Sequence, residues 1–383
     1  MKTGRGRGGR RMKIGLVSTA VGLGGAERYL VELARWLAEA GSPPVLIVAE
    51  EIAAALVADL GDARVPVVAA PIGWDWGPED DTGGEAYRAK LDRQREGLGR
   101  ALQGLSAGPD VLLLNANWPT HYLGALQAAM ASGLPYGVHF HLCPHRIHLN
   151  PDARAGHAET LGRAAFLSCV SRNNRFFLEQ TFGTLLEFRV ILNGSRFEID
   201  DDERARLAVA ARQDVMLLVG RLDHQKGILD MLPALAQPDA LAGMALHVLG
   251  DGPLRGILAS AAERAAVPVV LQGRVEDVRD RLASARAMLL PSHFEGLSLS
   301  ILEAMSLGCI PVVSRASSAA ELIEDGRTGF LFDVADWRSM LAAVRRLAAC
   351  DEAGVRANCL QAATSLTRRS MLDSMHQQLR AVA

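Results

Sequence analysis

No apolar run in this chain of 383 residues approaches the ~20 residues that a helix needs to cross a bilayer. Aromatics are scarce at 5%, and five cysteines are scattered at Cys143, Cys169, Cys309, Cys350 and Cys359 with no CxxC pair. An odd, scattered set argues against a disulfide framework or a structural zinc, and fits reduced thiols in a cytoplasmic protein. Excess charge is missing too. Lys and Arg number 41 against 43 Asp and Glu, a net −2, which leaves no electrostatic footprint for nucleic acid. The basic exception is residues 1–11, rich in Gly and Arg, which are expected to form a disordered tail. His139, His141, His145 and His148 lie close together but follow no zinc spacing, so no bound metal is expected.

What the chain does have is apolar mass, 49% of its residues, and a length suited to about two domains. Short continuous apolar runs read as strands at Lys13–Val17, Val45–Ala49, Val65–Ala69, Val111–Asn115, Tyr136–His141 and Phe166–Val170. A second set falls at Val215–Gly220, Ala245–Gly250, Pro268–Gln272, Ala287–Leu290 and Ile310–Ser314. Continuous rather than alternating hydrophobicity is the mark of parallel strands buried on both faces. Between them Ala26–Ala40, Gly227–Ala236, Pro253–Ala266 and Leu297–Leu307 carry apolar residues at helical spacing. The repeated β-α order predicts an α/β protein with two Rossmann-like, doubly wound parallel sheets. The Asn193-Gly194 turn separates a first domain, 12–194, from a second, 195–365, and 366–383 reads as a C-terminal helix. Two such halves would face one another across a crevice at the carboxyl ends of their strands, where ligands bind in open α/β folds. Residues 71–86, acidic and bearing Trp74 and Trp76, read as an irregular loop: an acceptor-site lid or a mobile surface loop.

Three constellations carry chemistry. Gly22-Leu23-Gly24-Gly25-Ala26 follows the first strand and opens the first helix, where glycines let a phosphate approach and the helix end supplies N–H donors; a plain strand-to-helix turn would use the same residues. Gly220–Gly227 opens the second half with two cations: Arg221 offers a planar fork to phosphate oxygens and Lys226 a point charge. Solvated surface charges are the alternative. Glu295 and Glu303 lie eight residues apart. Gly296 places Glu295 in a loop and Glu303 within the following helix, inside the apolar run Leu299–Leu307. A carboxylate there needs a partner, either a ribose diol or a structural arginine.

Glu295 and Glu303 resemble the E-x7-E motif of the retaining GT4 glycosyltransferases of the GT-B fold, the glycosyl transferases group 1. Arg221 and Lys226 resemble that family's paired phosphate cations, and Gly24-Gly25-Ala26-Glu27-Arg28 its glycine loop. Val248–Pro253, Leu271–Val275 and Asp325–Leu331 are similar to its later strand ends and turn, so the resemblance runs from Met12 to about Phe332. It implies that Glu303 binds the donor ribose and Glu295 the transferred sugar. Arg221 and Lys226 would hold the diphosphate, with backbone N–H groups at Gly24-Gly25 and Gly296–Leu297, Ser298 beside them, and Val275 lining the base pocket. It further implies a nucleotide-sugar donor, with UDP-sugar expected, no bound cofactor or metal, and His141 as the active-site histidine. His139, on the same strand face, competes for that place. Where the family often has histidines after the strand at Val111–Leu114, this chain has Asn115, Asn117 and, further on, His121; Asn117, His121 and His139 are assigned to the acceptor.

The expected reaction is transfer of a hexose-type sugar to a hydroxyl of a small-molecule or glycan acceptor with retention. No carboxylate stands out for a double displacement, so same-face attack is expected. Three alternatives remain: a nucleotide-sugar epimerase, a binding protein without turnover, and a membrane-surface transferase with a lipid-linked acceptor. The last rests on a helical apolar stripe, Tyr87, Leu91, Leu98 and Leu102, flanked by Arg88, Lys90, Arg93, Arg95 and Arg100.

Overall fold

Alternating strand and helix is what the structure, a computed structural model, displays over residues 12–316 and 318–383. The basic stretch 1–11 lies outside the described residues. The chain forms two compact units. The first takes the described residues up to Cys169, then Arg175–Val190 and Leu372–Ala383; the second takes Val170–Asn174 and Ile191–Met371.

The first unit holds seven parallel strands: β1 (Ile14–Ser18), β2 (Val45–Ala49), β3 (Val67–Ala70), β4 (Val111–Ala116), β5 (Tyr136–Phe140), β6 (Phe166–Cys169) and β7 (Phe188–Val190), in the order β3-β2-β1-β4-β5-β6-β7. β1, β4 and β5 are buried along their whole length, as their unbroken apolar runs require. In the helix Gly25–Glu39, Ala26, Tyr29, Leu30, Leu33, Ala34 and Leu37 form the buried stripe. The last helix, Arg368–Val382, is buried at Met375 and Leu379, and His376 meets Trp36 edge-on.

The second unit holds six: β8 (Gln213–Val219), β9 (Ala245–Leu249), β10 (Val269–Gly273), β11 (Ala285–Leu290), β12 (Ile310–Ser314) and β13 (Phe330–Phe332), in the order β10-β9-β8-β11-β12-β13. Successive side chains of a strand point to opposite faces. Met216, Leu218, Leu246, Val248 and Leu289 fill one core layer, while Val215, Leu217, Leu249, Met288 and Leu290 fill the other. Each fully buried leucine or valine contributes about 1.5–3 kcal/mol.

Strands β7 and β13 are absent from the sequence reading. Each has three residues and closes a sheet edge, too short for a periodic signal. The segment 71–86 is not an unstructured loop. Trp74 is buried, Glu79–Thr82 is helical, and Lys90 hydrogen-bonds the Asp75 carbonyl and pairs with Asp80. The basic apolar stripe faces inward: Tyr87, Leu91 and Leu98 are buried, and Tyr87 and Leu91 pack with Trp74 and Leu123. Its apolar face is therefore committed to the core. Among the described residues no helix is long and apolar enough to cross a membrane. All five cysteines are free thiols.

Candidate active site

In both sheets the strand order reverses beside the first strand, between β1 and β4 and between β8 and β11. Loops leaving the carboxyl ends of strands at such a point are where open α/β sheets bind ligands. Most of the expected site residues fall on these loops.

In the second unit β8 ends at Val219, and past Gly220 the chain turns through Asp223, whose Oδ1 accepts from Lys226 N at 3.3 Å. Gly227 follows with φ +63°, and a Cβ there would stand 1.9 Å from the Pro291 carbonyl. Only glycine permits that approach, which brings the Lys226 turn against the loop after β11. The loop is tied back, His293 N donating to the Gln225 carbonyl at 2.8 Å and Gln225 Nε2 to that of Phe294 at 3.2 Å. Lys226 Nζ thus meets Glu295 Oε1 at 2.5 Å, with side-chain exposures of 16% and 8%. Ser292 Oγ donates to the same carboxylate oxygen at 2.8 Å, and Ser318 Oγ to the Glu295 carbonyl at 3.1 Å. Arg221 differs: its side chain is 63% exposed, with Asp223 Oδ2 at 3.5 Å.

Gly296, Leu297 and Ser298 are buried and lead into the helix Leu299–Ser306. Asn193 Nδ2 holds the Leu297 carbonyl at 2.8 Å, and the Ser298 and Ser300 hydroxyls meet at 2.9 Å. Glu295 lies before the helix and Glu303 inside it. Glu303 is buried, and Arg196 Nε stands 2.8 Å from its Oε1. Arg196 is a partner that the sequence reading leaves as an unnamed structural arginine. Val275, beyond β10, packs partly buried against the core.

In the first unit Gly24 precedes the helix Gly25–Glu39, and its N–H is already engaged, donating to Glu27 Oε2 at 2.9 Å. The Glu27 carboxyl is buried, its Oε1 has no partner among the described residues, and burial raises it to about 7. His139 and His141 face the same helix, their rings 4.9 and 4.8 Å from that of Tyr29. His139 is fully buried with Nδ1 on Ser168 Oγ at 2.9 Å, whereas His141 keeps 8% exposure and meets Asn115 Oδ1 through Nε2 at 2.7 Å. Burial brings His139 down to about 3. Burial, then the neighbouring His139, holds His141 well below its ordinary value, so both rings are neutral. His145 and His148 are exposed.

Asn117 and His121 each carry a buried polar atom, Oδ1 and Nε2, with no hydrogen-bond partner among the described residues. His121 packs between Trp74 and Trp118, with ring distances of 6.0 and 5.9 Å, and burial followed by the Lys90 charge lowers it to about 4. Unpaired buried polar atoms are costly, and a ligand hydroxyl would satisfy these two.

The Glycosyl transferases group 1 profile matches residues 213–350, and the Glycosyl transferase 4-like domain profile residues 24–194. The chain belongs to the GT4-like group 1 glycosyltransferases. A glycogen synthase of Thermus thermophilus is 34% identical over 164 residues, 40% of this chain and 37% of that protein. Glycogen synthase 1 of Bradyrhizobium diazoefficiens is 34% identical over 151 residues, 38% and 32% respectively. The matches therefore span about a third of these relatives' length. Over the whole fold, Anabaena HepE in complex with UDP superposes with a TM-score of 0.73 at 19% identity, covering 97% of this chain and 100% of that one. Sucrose-phosphate synthase of Thermosynechococcus elongatus gives 0.71 at 18%, covering 97% and 99%. The fold of this group 1 protein is GT-B.

Arg196 and Ser292 are the site residues that the sequence did not single out. Glu27 and Asn115 were named without the roles the structure gives them, and the register of β4 on β5 sets Asn115 opposite His139.

Proposed function

We propose that the protein is a retaining glycosyltransferase, moving a hexose-type sugar from a UDP-sugar to a hydroxyl of a small-molecule or glycan acceptor. The observation that carries this reading is the cluster at the ends of β8 and β11: Lys226 on Glu295 at 2.5 Å, exposed Arg221 nearby in sequence, and buried Glu303 one helix on. Arg221 and Lys226 would hold the diphosphate and stabilise the charge that develops as the C1–oxygen bond breaks. Positive side chains in these places make a bound metal unnecessary. Glu295 would position the transferred sugar, Glu303 the ribose hydroxyls, and Val275 the base. The N–H groups of Gly296, Leu297 and Ser298, at the entry of a helix, favour phosphate.

The UDP assignment is supported by Anabaena HepE, whose structures hold UDP, UDP-glucose, and UDP with glucose. His141, Asn117 and His121 would serve the acceptor side; His139, fully buried, would only back the His141 ring at 4.6 Å. In the reaction the acceptor oxygen bonds to C1 on the face that the diphosphate leaves. The C1–O bond to diphosphate breaks, and the hydroxyl proton passes to a diphosphate oxygen. Incubation with a panel of UDP-sugars and sugar acceptors, with proton NMR of the new anomeric centre, tests the reading. An α-donor giving an α-product is expected; a β-product, or donor epimerisation without an acceptor, contradicts it.

A further inference from the structure

Asn115 lies at the end of β4, 2% exposed, and both ends of its amide are in use. Its Nδ2 donates to the Ala26 carbonyl at 3.1 Å, and its Oδ1 meets His141 Nε2 at 2.7 Å. The orientation of an amide has to be read from its partners. Here a backbone carbonyl, which only accepts, requires the nitrogen at Ala26 and so puts the oxygen at His141. An amide oxygen accepts, and Nε2 must therefore carry the hydrogen. A neutral imidazole has one N–H, so Nδ1 holds the lone pair. The other rings against His141, Tyr29 at 4.8 Å and His139 at 4.6 Å, lie edge-on to it, and no described residue hydrogen-bonds Nδ1.

His139 has no comparable lock: its Nδ1 meets Ser168 Oγ at 2.9 Å, and that hydroxyl, 3.4 Å from the Val138 carbonyl, can serve either tautomer. His139 is sealed from solvent, whereas His141 is 8% exposed.

We infer that Asn115 is a positioning residue for His141: it locks the ring as the Nε2–H tautomer, so that Nδ1 meets a ligand hydroxyl as an acceptor and never as a donor. The identity of the ligand, a sugar hydroxyl, rests on the function proposed above; the tautomer does not. The device explains why an asparagine suits this place. An ionised aspartate at 115 would offer Ala26 no donor, and a leucine would offer neither group.

The test is ¹⁵N NMR of the imidazoles in the full-length protein, with His141 assigned by His141→Gln. The inference expects His141 protonated at Nε2 and bare at Nδ1 from pH 6 to 8. Asn115→Leu should give a mixture of tautomers and lower kcat/KM about tenfold, the loss of roughly one hydrogen bond's worth of positioning. Asn115→Asp keeps an acceptor toward Nε2, should keep the tautomer, and should retain more turnover than the leucine variant. An Nδ1–H signal in the unaltered protein overturns the inference, as does a leucine variant that keeps both tautomer and turnover. The wild-type spectrum decides even where the leucine variant misfolds. It also decides where no sugar transfer is found, an outcome that would count against the proposed function alone.

Discussion

Lys226 and Glu295, 69 positions apart in the chain, form an ion pair of 2.5 Å that is largely shut off from water. A buried pair broken on one side leaves the other charge uncompensated, at a cost of about 3–5 kcal/mol. Lys226→Ala should therefore destabilise the second unit by about 3 kcal/mol as well as reduce kcat by about 10²–10³ for a lost transition-state cation. Lys226→Ala combined with Glu295→Gln should regain much of the stability and none of the turnover. Denaturant melts and steady-state rates on the three variants check both halves.

Arg221 has no such structural duty. Its side chain is 63% exposed, and its charged neighbour Asp223 is 3.5 Å away. Arg221→Ala should move stability by less than about 0.5 kcal/mol, as exposed substitutions do, while lowering kcat/KM about tenfold to a hundredfold. Unchanged turnover would remove Arg221 from the diphosphate site.

Arg196 holds one oxygen of Glu303 at 2.8 Å. If Glu303 binds the ribose, freeing it should weaken nucleotide affinity modestly, by about three- to tenfold, and Glu303→Ala should weaken it about a hundredfold. The double variant should bind no worse than Glu303→Ala alone, because Arg196 acts through that carboxylate. Additive losses in a calorimetric cycle would mean that Arg196 touches the ligand itself.

Acid should act on the first unit before the second. Burial lowers His139 and His157 to about 3 and His121 to about 4, and holds His141 well below the ordinary 6.5. Below pH 6.5 the unfolded chain takes up protons that the folded unit refuses. Their contribution is thus intact above 6.5 and falls away with acidification, at up to about 1.4 kcal/mol per histidine per pH unit. Glu27, raised to about 7, works the other way between about 4.5 and 7, where the folded state holds the extra proton, and offsets one of the four. Hydrogen exchange at pH 7.5 and 5.0 should show protection lost in β4 and β5 well before β8 and β11. His157, with neither ring nitrogen hydrogen-bonded, is the histidine whose replacement by leucine should flatten this dependence.

Most of the scaffold was legible because buried parallel strands write themselves as unbroken apolar runs. Val45–Ala49 and Ile310–Ser314 fall where the sequence puts them. Glu295 in a loop and Glu303 in a helix follow from Gly296 alone. What sequence could not carry was pairing across distance. Arg196 on Glu303, Lys226 on Glu295 and Asn115 on His141 join residues 107, 69 and 26 positions apart, and only the fold chooses among the available partners. The basic stripe at Tyr87–Leu102 shows the converse: amphipathic spacing gives a face, and the packing of Trp74 and Leu123 against it decides what covers that face.

A nucleoside-diphosphate site on the second unit is open to calorimetric titration with UDP, GDP, ADP and TDP, without added metal and with chelator present. UDP should bind, and Glu303→Ala and Arg221→Ala should each lose most of that affinity. Absence of binding by all four, or UDP binding that both variants leave intact, would contradict it.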